Sequence, residues 1–343
     1  MKIIMSLFSL LGLFACGKAD YTNLDVEAFA AKTAEPEVAI LDVRTADEYA
    51  AGHLRGAANI DWYGADFIDL VEKAYPKGTP LAVYCRSGRR SAEASAKLAK
   101  AGYTLYNMLG GYLAWTEAGM PVTTYEAETF FTDSGLPVNI TLIKHGSLEI
   151  AYNGLSIQVD PVGAYGRATD YATEFPKADV ILLTHEHGDH FDRDAIKALN
   201  ADLLITNARC AEMLGYGVAL ANGDSYTLPG GIALQAVPAY NYTEGHTQFH
   251  PKGRDNGFVL DFDGLRIYIA GDTEDIPEMA TLRDIDLVFL PVNQPYTMTV
   301  EQCVHAATVL APRVLIPYHF GQTDLSALPS LLPDITVLLR HMQ

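Results

Sequence analysis

Cysteine is scarce in this sequence, which has four of them among 343 residues. They stand at positions 16, 85, 210 and 303. Small secreted folds that depend on disulfides carry more cysteine in a shorter chain. The count therefore excludes a disulfide scaffold, although it leaves room for a single bridge.

Basic residues are also few. Lys and Arg number 24 against 42 Asp and Glu, which gives a formal net charge of -18. Proteins that bind nucleic acid neutralise phosphates with Lys and Arg, and electrostatic binding to anionic lipid needs the same residues. We therefore expect no nucleic-acid partner and no membrane attachment through surface charge.

An apolar run extends from residue 3 to residue 14, after Lys2. It has the length of a signal-peptide core and is too short to span a bilayer comfortably. Residues 13–16 read Leu-Phe-Ala-Cys, which resembles the lipobox of bacterial lipoproteins. The resemblance implies a signal at 1–16 and lipidation of Cys16. The protein would then lie outside the cytoplasm in the cell envelope, periplasmic or surface-exposed, and contact a membrane only through this anchor. A plain cleaved signal peptide is the alternative.

Residues 21–124 alternate short apolar runs with a helical pattern. Strands are predicted at 38–43, 81–84 and 105–108, and a helix at 91–101. This alternation predicts an α/β domain with a parallel sheet. Residues 125–137 combine acidic residues with a Ser-Gly-Leu-Pro sequence and lack a periodic pattern, which predicts a linker.

Residues 138–343 carry many more strand signals. Hairpins are predicted at 148–159 and 257–270, because Asn-Gly and Asp-Gly turns divide these two segments. The remaining signals predict strands at 180–183, 232–237, 287–290 and 314–316, and helices at 192–199 and 300–310. Together they favour two sheets covered by helices, in an αβ/βα order of layers.

Four side chains of metal-binding type stand within six residues after the predicted strand at 180–183: His185, His187, Asp189 and His190. Residues two apart in extended backbone point the same way, so His185 and His187 can reach one ion. We expect Gly188 to let the backbone turn among them.

Further candidates follow other predicted strands, where a scaffold presents functional side chains. They are Asp160, Asp272 and His319. Histidine and carboxylate ligands suit zinc, and also manganese or iron.

This set resembles the HxHxDH motif and the later aspartate and histidine of the metallo-β-lactamase superfamily, over about residues 138–343. Lys144-His145-Gly146-Ser147 and Val159-Asp160-Pro161 make it most similar to the metal-dependent hydrolases of that superfamily. The resemblance implies an αβ/βα sandwich, two divalent cations (zinc, with manganese or iron as alternatives) and hydrolysis by activated water.

The resemblance also implies a ligand set. His185, His187 and a third residue would hold one cation. Asp189, which we also expect to be catalytic, would hold the other with His190 and His319, and Asp272 would bridge the two.

The third ligand of the first cation is open in the sequence. Members of the superfamily often carry a histidine after Pro-Ala-x, whereas Asn241 stands there in this chain. His246 and His250 lie close behind, and we favour His250.

Asp160 and His145 fit a hydrogen-bonding role as well as a ligand role. Three other histidines are not expected to be ligands: His53, His305 and His341. Cys210 and Cys303 lie on helical stretches and are expected to be buried.

Cys85 stands between the predicted strand at 81–84 and the helix at 91–101. It opens a loop that continues with Arg86, Ser87, Gly88, Arg89 and Arg90. A loop before a helix N-terminus directs backbone N–H groups and the positive end of the helix dipole inward. A thiolate, a persulfide or an oxyanion is stabilised there.

The loop and its surroundings resemble the rhodanese family over about residues 21–124. The supporting segments are Leu41-Asp42-Val43-Arg44, Glu48-Tyr49, Gly52-His53-Leu54, Gly56-Ala57-Ala58-Asn59-Ile60, and Gly110-Gly111-Tyr112 with Trp115. The family's nucleophile corresponds to Cys85, which implies a cysteine persulfide. A rhodanese that only binds its ligand is the alternative.

The leading hypothesis is a lipid-anchored fusion of a sulfurtransferase-like domain with a metal-dependent hydrolase. Its partners would be a small-molecule substrate and a donor or acceptor of sulfane sulfur. One alternative is an iron-dependent persulfide dioxygenase that acts with the rhodanese domain, although that family typically puts the metal domain first. The other is a non-enzymatic surface protein that uses both folds for binding, and the intact cysteine and metal motif count against it.

Overall fold

The computed structural model describes residues 21–342. The first part of this range forms a five-stranded parallel sheet in the order β1-β5-β4-β2-β3, flanked by helices. Its elements are β1 (Thr22–Leu24), α1 (Val26–Thr33), β2 (Ala39–Asp42), α2 (Ala46–Ala50), β3 (Ala57–Asn59), α3 (Phe67–Ala74), β4 (Pro80–Tyr84), α4 (Arg89–Lys100), β5 (Thr104–Met108) and α5 (Gly111–Glu117). The predicted parallel α/β domain is confirmed.

The rest of the described chain forms two seven-stranded sheets. The elements of the first sheet and its helices are β6 (Ala127–Phe131), β7 (Pro137–Lys144), β8 (Ser147–Tyr152), β9 (Leu155–Val159), α6 (Tyr171–Glu174), β10 (Val180–Leu182), α7 (Arg193–Leu199), β11 (Leu203–Thr206), α8 (Ala208–Leu214) and β12 (Val218–Ala219). Those of the second are β13 (Ser225–Thr227), β14 (Ala233–Ala239), β15 (Asp255–Phe262), β16 (Leu265–Ile269), β17 (Leu287–Pro291), α9 (Val300–Leu310), β18 (Val314–Tyr318), α10 (Leu328–Leu331) and β19 (Thr336–Val337).

Each of these two sheets is half antiparallel and half parallel. In the first, β6 to β9 are antiparallel neighbours and β9 to β12 run parallel. In the second, β13 to β16 are antiparallel and β16 to β19 run parallel. This is the two-sheet sandwich that the sequence predicts. Both predicted hairpins are present, as β8–β9 and β15–β16.

A single apolar core joins the two sheets. Ile150 and Ile157 of the first sheet and Phe258, Ile267 and Leu287 of the second are fully buried in it. Each such side chain contributes roughly 1.5–3 kcal/mol through its burial. The core therefore fixes the position of one sheet against the other, and with it the loops at the ends of their strands.

The segment 125–137, predicted to be a linker, is not without structure. Residues Ala127–Phe131 form β6, which pairs antiparallel with β7 at the edge of the first sheet. An edge strand is paired on one side only, so its sequence need not carry the apolar alternation of a buried strand. That is why the pattern in the sequence is too weak to predict it.

The two domains contact each other closely. The two ring nitrogens of His53 lie 2.9 Å and 2.8 Å from the carbonyl oxygens of Tyr49 and Tyr125, which accept the ring N–H. Arg55 forms an ion pair with Glu149 of β8 at 3.1 Å and stacks over the Phe175 ring. His53 thus has a structural role at the interface.

The expected lipidation site, Cys16, lies outside the described residues. Within residues 21–342, no helix has both the length and the apolar character needed to cross a membrane.

Cys85, Cys210 and Cys303 are free and buried. Cys210 and Cys303 lie in α8 and α9 as predicted.

An ion pair is buried at the end of β2. Arg44 Nη2 lies 2.6 Å from Asp42 Oδ2, and Arg44 Nε contacts the same carboxylate at 2.9 Å. Arg44 also donates to the carbonyl of Gly52 at 2.7 Å. The two side chains are 3% and 0% exposed. Each charge is therefore removed from water and is compensated by the other.

Replacement of Arg44 by Met is expected to destabilise the N-terminal domain by about 3–5 kcal/mol, because the Asp42 carboxylate would stay buried without a counter-ion. Urea unfolding followed by circular dichroism measures the loss. The matched control is Lys77→Met, which breaks the exposed pair with Glu72 and should cost about 0–1 kcal/mol. Equal effects of the two variants would contradict the prediction.

Candidate functional site

Three histidines converge from two loops. His185 and His187 follow β10, and His250 comes from the loop that enters β15. One nitrogen of each lies within 4.8 Å of the others. The structure thus places His250, the residue favoured from the sequence, beside the first two histidines of the motif.

A second group lies next to the first. Asp189 and His190 from the same loop meet His319, which follows β18, and His145, which stands in the turn between β7 and β8. Their ligand atoms also lie within 4.8 Å of one another. Residues far apart in the sequence therefore meet because β7, β10 and β18 end at one edge of the sandwich.

Asp272, which follows β16, lies between the two groups. Its carboxylate oxygens are 3.1 Å from His319 Nε2 and 3.3 Å from His190 Nε2 on one side. They are 3.4 Å from His250 Nε2 and 3.8 Å from His185 Nε2 on the other. The side chain is 2% exposed. One buried carboxylate thus faces four imidazoles, two from each group.

Several polar atoms at this point have no hydrogen-bond partner within residues 21–342. They are His185 Nε2, His190 Nε2, His319 Nε2 and Asp272 Oδ1, and all are buried. An unsatisfied buried polar group costs about 1–3 kcal/mol. Imidazole nitrogens and carboxylates that face one another in this way are the donor set of divalent transition metals. The residues therefore form a buried metal-binding cluster.

The Nδ1 atoms of three histidines of the cluster are hydrogen-bonded, those of His185, His190 and His250. His190 Nδ1 lies 2.7 Å from Asp160 Oδ2, and His250 Nδ1 lies 3.0 Å from Asp255 Oδ2. His185 Nδ1 is 3.0 Å from Thr184 Oγ1, whose hydroxyl donates to Asp160 Oδ2 at 2.6 Å. Each Nδ1 is therefore the donor, and each Nε2 keeps its lone pair for an ion.

His145 also has a supporting position. Its Nε2 lies 3.1 Å from Asp189 Oδ2, and its ring lies against that of His319, with 3.7 Å between centroids and 40° between the ring planes. Burial lowers the pKa of His145 to about 4, so the ring is neutral at pH 7 and its Nε2–H donates to Asp189. Asp160 and His145, whose roles the sequence left open, are both engaged in hydrogen bonds.

Both carboxylates of the cluster are ionised. Burial opposes the charge of Asp272, but His319 and His190 outweigh it and hold the pKa of Asp272 well below its usual value. Burial likewise opposes ionisation of Asp189, but the hydrogen bond from His145 and the His319 imidazole, 3.4 Å away, depress its pKa. The cluster thus presents anionic oxygens to a cation.

The backbone is strained where the site is built. His145, Asp160 and His319 have φ of 45°, 43° and 47°, in the left-handed region that side chains other than Gly rarely adopt. Such positions cost about 1–3 kcal/mol each and persist only where the surroundings enforce them. Here they direct the side chains of three neighbouring turns toward one point.

Two glycines of the site differ in their importance. A Cβ at Gly146 would lie 2.5 Å from Cε1 of the His190 ring, so only glycine lets that ring occupy its position. A Cβ at Gly188 would meet nothing within 4 Å, and its φ is not positive. Neither a positive φ nor close packing therefore requires the glycine that the sequence places in this turn.

The other candidates for the third ligand lie elsewhere. The Asn241 amide donates to the carbonyl of Tyr296 at 2.7 Å, and His246 Nδ1 faces Glu274 Oε1 at 3.5 Å. Within residues 21–342, His246 belongs to none of the groups of three or more His, Cys, Asp or Glu side chains that could hold an ion. His305 pairs with Asp275 and His341 with Glu126.

Sequence reasoning missed the residues that hold the His250 loop. The buried carboxylate of Glu274 accepts the backbone N–H groups of Tyr242 and Thr243, both at 2.8 Å. Asp255 orients the His250 ring directly. The sequence shows Glu274 two positions after Asp272 and Asp255 at the start of β15. An acidic residue at such a position does not by itself indicate which group it will bond.

The cysteine loop wraps around a buried sulfur. The N–H of Gly88 donates to Cys85 Sγ at 3.2 Å, and Ser91 Oγ lies 3.5 Å from it. Helix α4 begins at Arg89. The carbonyl of Cys85 accepts the Tyr112 N–H at 2.8 Å. The sulfur thus lies among N–H and O–H donors at a helix N-terminus, as predicted from the sequence.

The arginines of this loop do not all face the ligand. Arg90 is buried and forms a two-point ion pair with Glu48, at 2.7 Å for each bond. Arg86, Ser87 and Arg89 are exposed. Arg90 therefore fixes the start of α4 to α2, whereas the first part of the loop is exposed to solvent.

Comparison with known proteins agrees with the metal-binding cluster of the C-terminal domain and with the cysteine loop of the N-terminal domain. The model of the beta-lactamase superfamily domain matches residues 139–319, and that of the rhodanese-like domain matches residues 25–118. A UPF0173 metal-dependent hydrolase from Geobacillus sp. (strain WCH70) is 32% identical over 212 residues, which cover 57% of this chain and 94% of that protein.

Solved structures give the same assignment. A crystal structure from Parabacteroides distasonis, assigned as a metal-dependent hydrolase, is 52% identical, with a TM-score of 0.62, and covers 64% of this chain and 100% of that one. A metallo hydrolase from Ignicoccus hospitalis is 23% identical, with a TM-score of 0.52, over 60% of this chain and 95% of its own, and shares the fold. The chain therefore belongs to the beta-lactamase superfamily, as a metal-dependent hydrolase whose domain follows a rhodanese-like domain.

Proposed function

We propose that the C-terminal domain hydrolyses a small-molecule substrate with two divalent cations. The observation that carries this proposal is the position of Asp272, whose one carboxylate faces two imidazoles of each histidine group. A single ion would need only one of these groups. Zinc suits the donor set best, and manganese and iron are the alternatives.

Each cation has a distinct set of ligands in this proposal. His185, His187 and His250 would hold one, and Asp189, His190 and His319 would hold the other. Asp272 lies where it would serve both. When bound, such a pair supplies an activated water and polarises the bond to be cleaved.

The remaining residues orient this set. Asp160, Thr184 and Asp255 fix the imidazole rings through their Nδ1 atoms. His145 holds the Asp189 carboxylate by Nε2–H. Asp189 is 24% exposed whereas Asp272 is 2% exposed, so Asp189 is the carboxylate that an incoming substrate reaches. We therefore assign it a catalytic role in addition to metal binding.

For the N-terminal domain we propose sulfur transfer through Cys85. The Cys85 thiolate attacks the outer sulfur of a donor such as thiosulfate, a new S–S bond forms, and sulfite leaves with the electron pair of the broken bond. The persulfide then passes its outer sulfur to a thiolate or cyanide. The donors around Sγ support this step, because they stabilise the negative sulfur before and after it.

We also propose that lipidation of Cys16 anchors the protein in the cell envelope, outside the cytoplasm. The lipobox-like sequence at 13–16 supports it. In a bacterial host, mass spectrometry of the mature N-terminus should find acylated Cys16, and Cys16→Ser should release the protein from the membrane fraction. An unmodified N-terminus beyond residue 16 would refute the anchor.

Metal analysis tests the hydrolase proposal. The purified protein should contain about two zinc or manganese ions per chain. His187→Ala should lose the ion of the three-histidine group. Gly146→Ala should lose the ion held with His190, because the new methyl group displaces that ring. Elemental analysis of dialysed protein gives the stoichiometry.

Two variants control this measurement. Gly188→Ala changes the same loop without a contact, and His305→Ala removes a histidine paired with Asp275 outside the cluster. Both should retain the full metal content. One iron per chain would favour the persulfide dioxygenase instead, and a protein without metal would favour a binding role.

A persulfide assay tests the N-terminal domain. After incubation with thiosulfate, the intact protein should gain the mass of one sulfur atom, and addition of cyanide should release it as thiocyanate. Cys85→Ser should do neither, because the serine oxygen cannot form the persulfide. Cys210→Ser is the matched control, since this cysteine is buried in α8. Sulfur uptake by the Cys85 variant would contradict the assignment.

A further inference from the structure

Arg254 joins the two loops that supply the three-histidine group. Its Nη1 lies 3.2 Å from Oε1 of Glu186, which stands between His185 and His187 after β10. Its Nε donates to Asp255 Oδ1 at 2.6 Å, and its Nη2 donates to Asp255 Oδ2 at 2.9 Å. Asp255 is the first residue of β15. One guanidinium therefore connects the loop after β10 with the start of β15.

The same side chain also holds the backbone next to His250. Arg254 Nη2 donates to the carbonyl of Phe249, the residue before His250, at 2.9 Å. The carboxylate that Arg254 binds at two points is the one that orients the His250 ring, since Asp255 Oδ2 lies 3.0 Å from His250 Nδ1. Arg254 thus fixes both the orientation of this ring and the chain that carries it.

The shape of the guanidinium matters at this position. Its planar fork binds one carboxylate at two points and reaches two further acceptors at the same time, whereas the ammonium of lysine is a point charge. Asp255 is fully buried and Glu186 is 15% exposed. Arg254 therefore compensates two carboxylates that are largely removed from water.

Two effects of Arg254 on a cation in this group oppose each other. Its positive charge repels the cation, whereas its bonds hold the ring of a ligand in place. The charge is compensated, because the guanidinium contacts two carboxylates and the trio is formally anionic. The loss of an outer partner that orients a ligand typically weakens metal binding about 10- to 100-fold. The orienting effect is therefore the larger of the two.

We infer that Arg254 is a positioning residue for the cation of the three-histidine group, because it holds the His250 loop against the loop after β10. The inference rests on the proposed function and goes beyond it, since it makes the two cations depend on different residues. Within residues 21–342, the hydrogen bonds and ion pairs of the Arg254 side chain reach none of the residues assigned to the other cation alone, which are Asp189, His190 and His319. Loss of Arg254 should therefore affect one cation and spare the other.

The zinc affinities of the two ions test this dependence. Zinc is titrated into the metal-free full chain in competition with chromophoric chelators of graded affinity, which resolves two dissociation constants. Arg254→Met removes the bonds of the guanidinium, and should weaken one zinc ion about 10- to 100-fold while the other stays within about twofold. Arg254→Lys should recover part of the loss, because an ammonium can still pair with Asp255. The matched control is Arg209→Met, which breaks an exposed pair with Glu212 and should change neither affinity.

A double substitution identifies the affected ion. In a His187→Ala background, which lacks the ion of the three-histidine group, Arg254→Met should have no further effect on the zinc that remains. Circular dichroism in urea checks that the metal-free variants are folded. If Arg254→Met does not fold, Glu186→Gln takes its place, and should weaken the same ion in preference to the other.

Three results would overturn the inference. They are unchanged or tighter binding of both ions by the Arg254→Met protein, equal weakening of both ions, and a further loss of zinc affinity in the His187→Ala background. Binding of fewer than two zinc ions by the unaltered chain would instead reject the proposed function, and the inference with it.

Discussion

The attraction between the Asp272 carboxylate and the imidazoles around it is the interaction on which the site depends. One buried anion stands within 3.8 Å of four ring nitrogens. Without that charge, the two histidine groups would face each other across a buried space with unsatisfied nitrogens, which is costly. With it, they become two halves of one buried metal-binding cluster.

The rest of the fold holds this arrangement against its cost. The apolar core fixes the two sheets, and the sheets bring the ends of β10, β16 and β18 to one edge. Left-handed backbone at His145, Asp160 and His319 then aims the loops inward. This division is typical of enzymes: the core provides the stability, and the strained turns provide the geometry.

Much of this could be predicted from the sequence, because its strongest signals are local. Apolar runs predict β10 and β18, Asn-Gly and Asp-Gly predict the hairpins, and the spacing of His185, His187, Asp189 and His190 predicts a metal site. The prediction fails where the cause is not local. An edge strand such as β6 owes its existence to pairing with β7. The roles of Asp255 and Glu274 depend on a loop path that no periodicity encodes, and the open space at Gly188 is visible only in three dimensions.

The most direct test of this account is a crystal structure of the zinc-loaded protein with anomalous diffraction measured at the zinc edge. The account predicts two peaks: one within bonding distance of His185, His187 and His250, and another within bonding distance of Asp189, His190 and His319. The Asp272 carboxylate should contact both. A single peak, or a second ion that Asp272 does not touch, would contradict it.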